Sequence, residues 1–136
     1  MAVRKMSYVD VKVPNRAGTA AQVLRGLQEG RVNLLAFTGF PDKGGKSQID
    51  LVTADMAGVR RVAKKNGWKL GKVKRGFLIT GTDQIGAVYR HVKRLADARI
   101  NMTAVDATCA GNGRFGAILW VKAKDYARAA RALKAS

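Results

Sequence analysis

The sequence predicts an α+β protein made of two consecutive βαββαβ units, the second one strand short, and three observations predict it. The chain of 136 residues is 47% hydrophobic and 26% charged, a globular composition able to bury a core. Its apolar residues switch repeatedly between a period of two and a period of about 3.6. Sliding the sequence along itself by 68 residues without a gap aligns Gly18 with Gly86, Leu27 with Leu95, Arg31 with Arg99, Asn33 with Asn101 and Leu51 with Leu119. There are eight such identities in all, where ordinary residue frequencies supply about four or five. The coincidence of elements, more than the count, marks an internal duplication.

Residues 7–13 alternate Val9, Val11 and Val13 with Tyr8, Asp10 and Lys12, the pattern of a half-buried strand. Gly18 opens a helix whose Ala20, Val23, Leu24 and Leu27 fall at helical spacing, with Gly30 as its stop. Residues 31–40 form a second strand, PDKGGK a Gly-rich hairpin loop, and residues 48–53 a third strand. Asp55 caps a helix that carries Val59, Val62 and Ala63 inward and Arg60, Arg61, Lys64 and Lys65 outward, ended by Asn66-Gly67. Residues 68–73 read as a fourth strand.

The second copy runs through a strand at 77–80, a helix at 83–98, a strand at 101–108, the AGNGR turn and a strand at 115–121. A last helix places Tyr126, Ala129, Ala130 and Leu133 at i, i+3, i+4 and i+7. The two units are residues 6–74 and 75–136. Their order of elements is that of a ferredoxin-like fold, with both helices on one face of an antiparallel sheet. A second copy without its last strand leaves a sheet edge unpaired. Either residues 68–73 serve both halves or another chain covers that edge, and a homodimer is the expectation.

Asn15-Arg16-Ala17-Gly18, followed by an amphipathic helix and then Arg31-Val32-Asn33-Leu34, resembles the ACT domain, and Asp83-Gln84-Ile85-Gly86 with Arg99-Ile100-Asn101-Met102 repeats the likeness. The family pattern is an Asn/Asp-Arg-Pro-Gly loop after the first strand and a Gly-Val/Ile-Asn start to the second; Ala17 and Ile85 stand here in place of the Pro. The resemblance implies a tandem of ACT-like modules that bind amino acids or related metabolites and regulate biosynthetic enzymes, with the site at a domain–domain interface. It points to Asn15, Arg16, Ala17, Gly18, Asn33 and Leu34 in the first half, and to Asp83, Gln84, Ile85, Gly86, Asn101 and Met102 in the second. Such a site has a physical logic. Glycine allows positive φ or close approach of backbone to ligand, a helix start offers N–H groups to a carboxylate, and Asn offers both a donor and an acceptor to a zwitterion.

Other functions are weighed by the residues they require. Catalysis needs cooperating groups within hydrogen-bond reach, yet the single histidine, His91, lies on the flank of a helix and the single cysteine, Cys109, reads as a small buried hydrophobe. Gly44-Gly45-Lys46-Ser47 lies in a hairpin, not in a phosphate loop between strand and helix. No carboxylate, Cys or His set has metal-ligand spacing, so no enzyme, cofactor or metal is expected. The apolar runs are too short for membrane insertion and the start of the chain lacks a secretory h-region, which makes a soluble cytoplasmic protein the default. Charge supplies the rival: 26 Lys and Arg against 9 Asp and Glu give +17, which favours anionic partners, RNA or single-stranded DNA included. Phe77, Phe115 and Trp120 lie where an RNA recognition motif stacks bases, but strand alternation assigns them to a core or an interface.

Overall fold

A computed structural model describes residues 2–136. Two units emerge, one of Ser7–Lys74 and one of Arg75–Ser136 joined by the start of the chain up to Met6. In the first, the part of β1 (Ala2–Pro14) from Ser7 onward pairs antiparallel with β3 (Lys46–Thr53), which pairs in turn with β2 (Ala36–Pro41). The register sets Val9 opposite Leu51 and Val11 opposite Ile49, so the period-two valines share a face with the apolar residues of β3. The helices α1 (Thr19–Glu29) and α2 (Met56–Asn66) close a core with them through Val23, Leu27, Val59 and Val62. Each such side chain contributes about 1.5–3 kcal/mol by leaving water. The predicted ends of α2 are observed: Asp55 accepts from the Gly58 N–H at 2.9 Å, and Gly67 follows in the left-handed conformation.

The second unit repeats the plan. Strands β4 (Lys74–Thr82), β5 (Met102–Gly111) and β6 (Arg114–Val121) lie in the order β4-β6-β5. The helices α3 (Ala87–Asp97) and α4 (Tyr126–Leu133) bury Leu95, Ala129 and Leu133 against Phe77, Ile79 and Leu119. No helix among the described residues is long and apolar enough to cross a membrane.

The strand withheld from the end of the second copy comes from the front of the chain. β1 lies beside β4, Val3 is buried in the second core with Phe77 and Leu119, and the Ser136 N–H donates to the Val3 carbonyl at 3.0 Å. In a βαββαβ sheet the fourth strand borders the first, and residues 2–6 take that place. The edge expected to need residues 68–73 or a second copy is therefore covered from within. Residues 68–73 are themselves not a strand: only Leu70 makes a bridge, to Val11, and the Gly71 N–H donates to the Asp10 carbonyl at 2.9 Å. A side chain at Gly71 would meet the Asp10 carboxylate, so the segment approaches β1 at a residue with no strand preference of its own and then leaves.

Both helix-to-strand turns also differ from expectation, and in the same way. Gly30 is the C-cap of α1, as expected, and Ala98 that of α3, but the left-handed residue comes one position later, at Arg31 and Arg99, each at φ 56°. Val32 N–H reaches the Leu27 carbonyl and Arg31 N–H the Gln28 carbonyl; Ile100 and Arg99 repeat this to Leu95 and Ala96. This is a Schellman turn, with Val32 and Ile100 buried beyond it as its apolar contact. The turn consumes the residues expected to begin a strand, so β2 starts at Ala36 rather than residue 31 and Asn33 lies in a connecting segment.

Candidate ligand-binding site

The strand-to-helix loops are superposable in their backbone bonding. Asn15 N–H donates to the Gly45 carbonyl at 2.9 Å, and Asp83 N–H to the Gly113 carbonyl at 2.8 Å. Gln22 N–H reaches the Gly18 carbonyl and Arg90 N–H the Gly86 carbonyl, at 3.0 and 3.2 Å. Gly18 and Gly86 each precede their helix in the left-handed conformation, at φ 94° and 78°. A Cβ at either would meet nothing within 4 Å, so these glycines serve the turn's positive φ rather than a tight approach.

Side chains separate the two loops. In the first, Asn15 Oδ1 accepts from Ser47 Oγ at 3.0 Å, and Thr19 Oγ1 lies 2.9 and 3.0 Å from the Pro14 and Arg16 carbonyls. That loop is knitted to itself. In the second, the positions of Thr19 and Ser47 are held by Ala87 and Phe115, both buried and apolar. An open cavity of about 520 Å³ lies there, lined by Asp83, Gln84, Gly86, Tyr89, Thr108 and Cys109 among others. Interaction with the nearby Asp83 carboxylate, first by hydrogen bonding, then burial and the carboxylate's charge, raises the Cys109 thiol above its ordinary value. A protonated thiol is a weak nucleophile. With its amide oriented to satisfy both groups, Gln84 Oε1 accepts from Arg90 at 2.7 Å, which ties the loop to α3.

The residues expected from the sequence are thus brought together only in part. Asp83, Gln84 and Gly86 line the cavity, whereas Ile85 is fully exposed at the loop's tip. Asn101 is exposed and Met102 packs against the second core; neither lines the cavity. In the first half Arg16, Ala17 and Asn33 are exposed, and Leu34 packs against the first core. Tyr89 and Thr108 were not anticipated, and Cys109, expected to be a small buried hydrophobe, is instead exposed on β5. Tyr89, large and 64% exposed on α3 three residues after Gly86, was the one readable signal.

The rival readings meet particular residues. Phe77, Phe115 and Trp120 are all buried, so no base platform is formed by them. Asp10 and Asp50 face each other across the β1–β3 pair and are buried. Their partners are the protein's own: Thr38 Oγ1 and Gln48 Nε2 donate to Asp50, each at 3.0 Å, and Lys74 Nζ is 3.8 Å from Asp10. Among the described residues no three His, Cys, Asp or Glu side chains could hold a metal ion.

This architecture is a tandem ACT-like α+β fold, and the comparisons with solved structures agree on it. A protein from Bacteroides thetaiotaomicron superposes with a TM-score of 0.79 at 15% identity, over 97% of this chain and 88% of that one. The ligand-free regulatory subunit of aspartate kinase from Thermus thermophilus gives 0.68 at 13% identity, over 98% and 95%. The aspartate kinase of Clostridium acetobutylicum gives 0.62 at 12% identity, over 98% of this chain and 33% of that one. Neither a protein-family model nor a curated protein matches the sequence.

Proposed function

We propose that the protein is a non-catalytic regulator that binds a small zwitterion of the amino-acid class in the second unit, between residues 83–89 and β5. The observation that carries this is the cavity at Asp83, at a position where the first loop's Asn15 and Thr19 side chains are bonded to the protein itself. Its groups are complementary to a zwitterion. Asp83 supplies a carboxylate for an ammonium, while the first turn of α3 supplies N–H groups, which a helix start leaves without internal partners, for a carboxylate. Aspartate kinase regulatory subunits among the structural neighbours support a regulatory role, exercised on a partner protein in the cytoplasm. The first loop, Asn15 to Gly18, is in this reading a structural copy.

A thermal-shift series with the common amino acids at millimolar concentration tests it. At least one ligand raises the melting temperature, and Asp83→Asn weakens its binding by about 1.5–3 kcal/mol, as loss of a charge-assisted hydrogen bond should. Asn15→Ala leaves it unchanged. No shift with any amino acid would remove the proposal. A second reading, RNA or single-stranded DNA, rests on the exposed cations of α2, where Arg60, Arg61, Lys64 and Lys65 lie; retention that vanishes with modest salt would mark it as phosphate attraction.

A further inference from the structure

Five exposed or lining groups of the second unit form a different concavity. Lys5, Arg75, Arg131 and Lys134 surround a hollow of about 360 Å³ with Tyr126 at its side, and it shares no residue with the cavity at Asp83. We propose that it is an anion site that takes phosphate groups.

An unpaired cation alone means little here, since 26 basic side chains face only 9 acidic ones. Convergence means more. Four cations line one hollow, no carboxylate lines it, and among the described residues none of the four has a carboxylate partner. Like charges gathered in a concave wall focus a positive potential that only an anion relieves. Arg75 is also held in place: its guanidinium lies 4.1 Å over the Tyr126 ring, and that ring stacks on Phe77 with centroids 4.8 Å apart and planes 9° apart. A cation seated on a buried aromatic pair loses little freedom when it binds. Two guanidinium forks match the oxygens of phosphate, and two lysines add point charges. The volume lies at the small end of the ligand-pocket range of about 300–1,000 Å³, which suits one or two linked phosphates rather than a whole cofactor.

Phosphate groups can come from a free phosphorylated metabolite or from a nucleic-acid backbone, and titration calorimetry with pyrophosphate and with a short single-stranded RNA separates the two. Pyrophosphate should bind saturably, and Arg75→Gln with Arg131→Gln should weaken it about tenfold or more. A control removing the same charge from α2, Arg60→Gln with Lys64→Gln, should leave it nearly unchanged. Arg131→Gln alone, which leaves the Arg75–Tyr126–Phe77 stack intact, guards against a folding defect and should still weaken binding. If RNA competes with pyrophosphate, the backbone is the source; if it does not, a free metabolite is. Absence of saturable pyrophosphate binding, or equal losses from the two double variants, would overturn the site, since net charge alone would then explain the attraction.

Discussion

The two units share a backbone and differ in how their first loops are filled. At matching positions the first carries Asn15, Thr19 and Ser47 and the second Asp83, Ala87 and Phe115. Two hydroxyls let the first loop satisfy its own polar groups; with apolar residues in their place, Asp83 lines a cavity beside Cys109. Duplication preserved the scaffold, down to a left-handed arginine after each first helix, while substitutions at three positions changed the side chains that face the loop.

The largest test of this comparison concerns the fourth strand. In the second unit Val3 fills the core from β1, and in the first the same place holds only the half-buried bridge residue Leu70. Val3→Asp should cost about 3–5 kcal/mol, the penalty of an uncompensated buried charge. Leu70→Ala should cost less, about 1–3 kcal/mol, because the site is partly open. Chemical denaturation measures both, and equal losses would deny that the second unit is completed from the chain's start.

Next in size is the approach of the helices. A Cβ on Gly30 would lie 2.3 Å from Val62 Cγ2, whereas the matching position in the second unit is already Ala98. Gly30→Ala should therefore destabilise by about 1–3 kcal/mol through overpacking. Ala98→Gly should cost about 0.5–1 kcal/mol, the ordinary backbone effect. A neutral Gly30→Ala would show that α1 and α2 can part without loss.

A smaller effect separates His91 from its counterpart Val23, each 2% exposed. Neither ring nitrogen of His91 has a hydrogen-bond partner among the described residues. Burial chiefly, then the charges of Arg94 and Arg90, holds its pKa below the ordinary 6.5. The unfolded chain then binds the extra proton first, so stability rises with pH through this range: it is complete above 6.5 and is lost as pH falls from there towards the folded-state value. His91→Val should flatten that part of the stability profile in urea titrations. An unchanged slope would show that other groups carry it.

The sequence made some of this legible and concealed the rest for physical reasons. Periodicity revealed the four α-helices of the described residues, and Asp55 and Gly67 revealed the ends of α2, because caps are local chemistry. Strand limits were concealed. In residues 2–6 the apolar Val3 and Met6 are three apart and fall on opposite strand faces, so no period-two pattern marks the strand, and nothing local reveals that the start of a chain borders β4. Gly30 marked the end of α1, while the left-handed conformation of Arg31 had no local signal, since glycine is the usual residue there. Of the site, Asp83, Gln84 and Gly86 were readable as a turn before a helix. Thr108 and Cys109 reach it only through the pairing of β5 with β6, which no short motif records.

The central claim is that the fold is duplicated while the site is not, and amide chemical-shift mapping of isotope-labelled protein during amino-acid titration tests it most directly. The account predicts perturbations clustered at residues 83–89 and 107–109, with residues 15–19 unmoved. Equal responses from both loops, or movement at 15–19 alone, would contradict it.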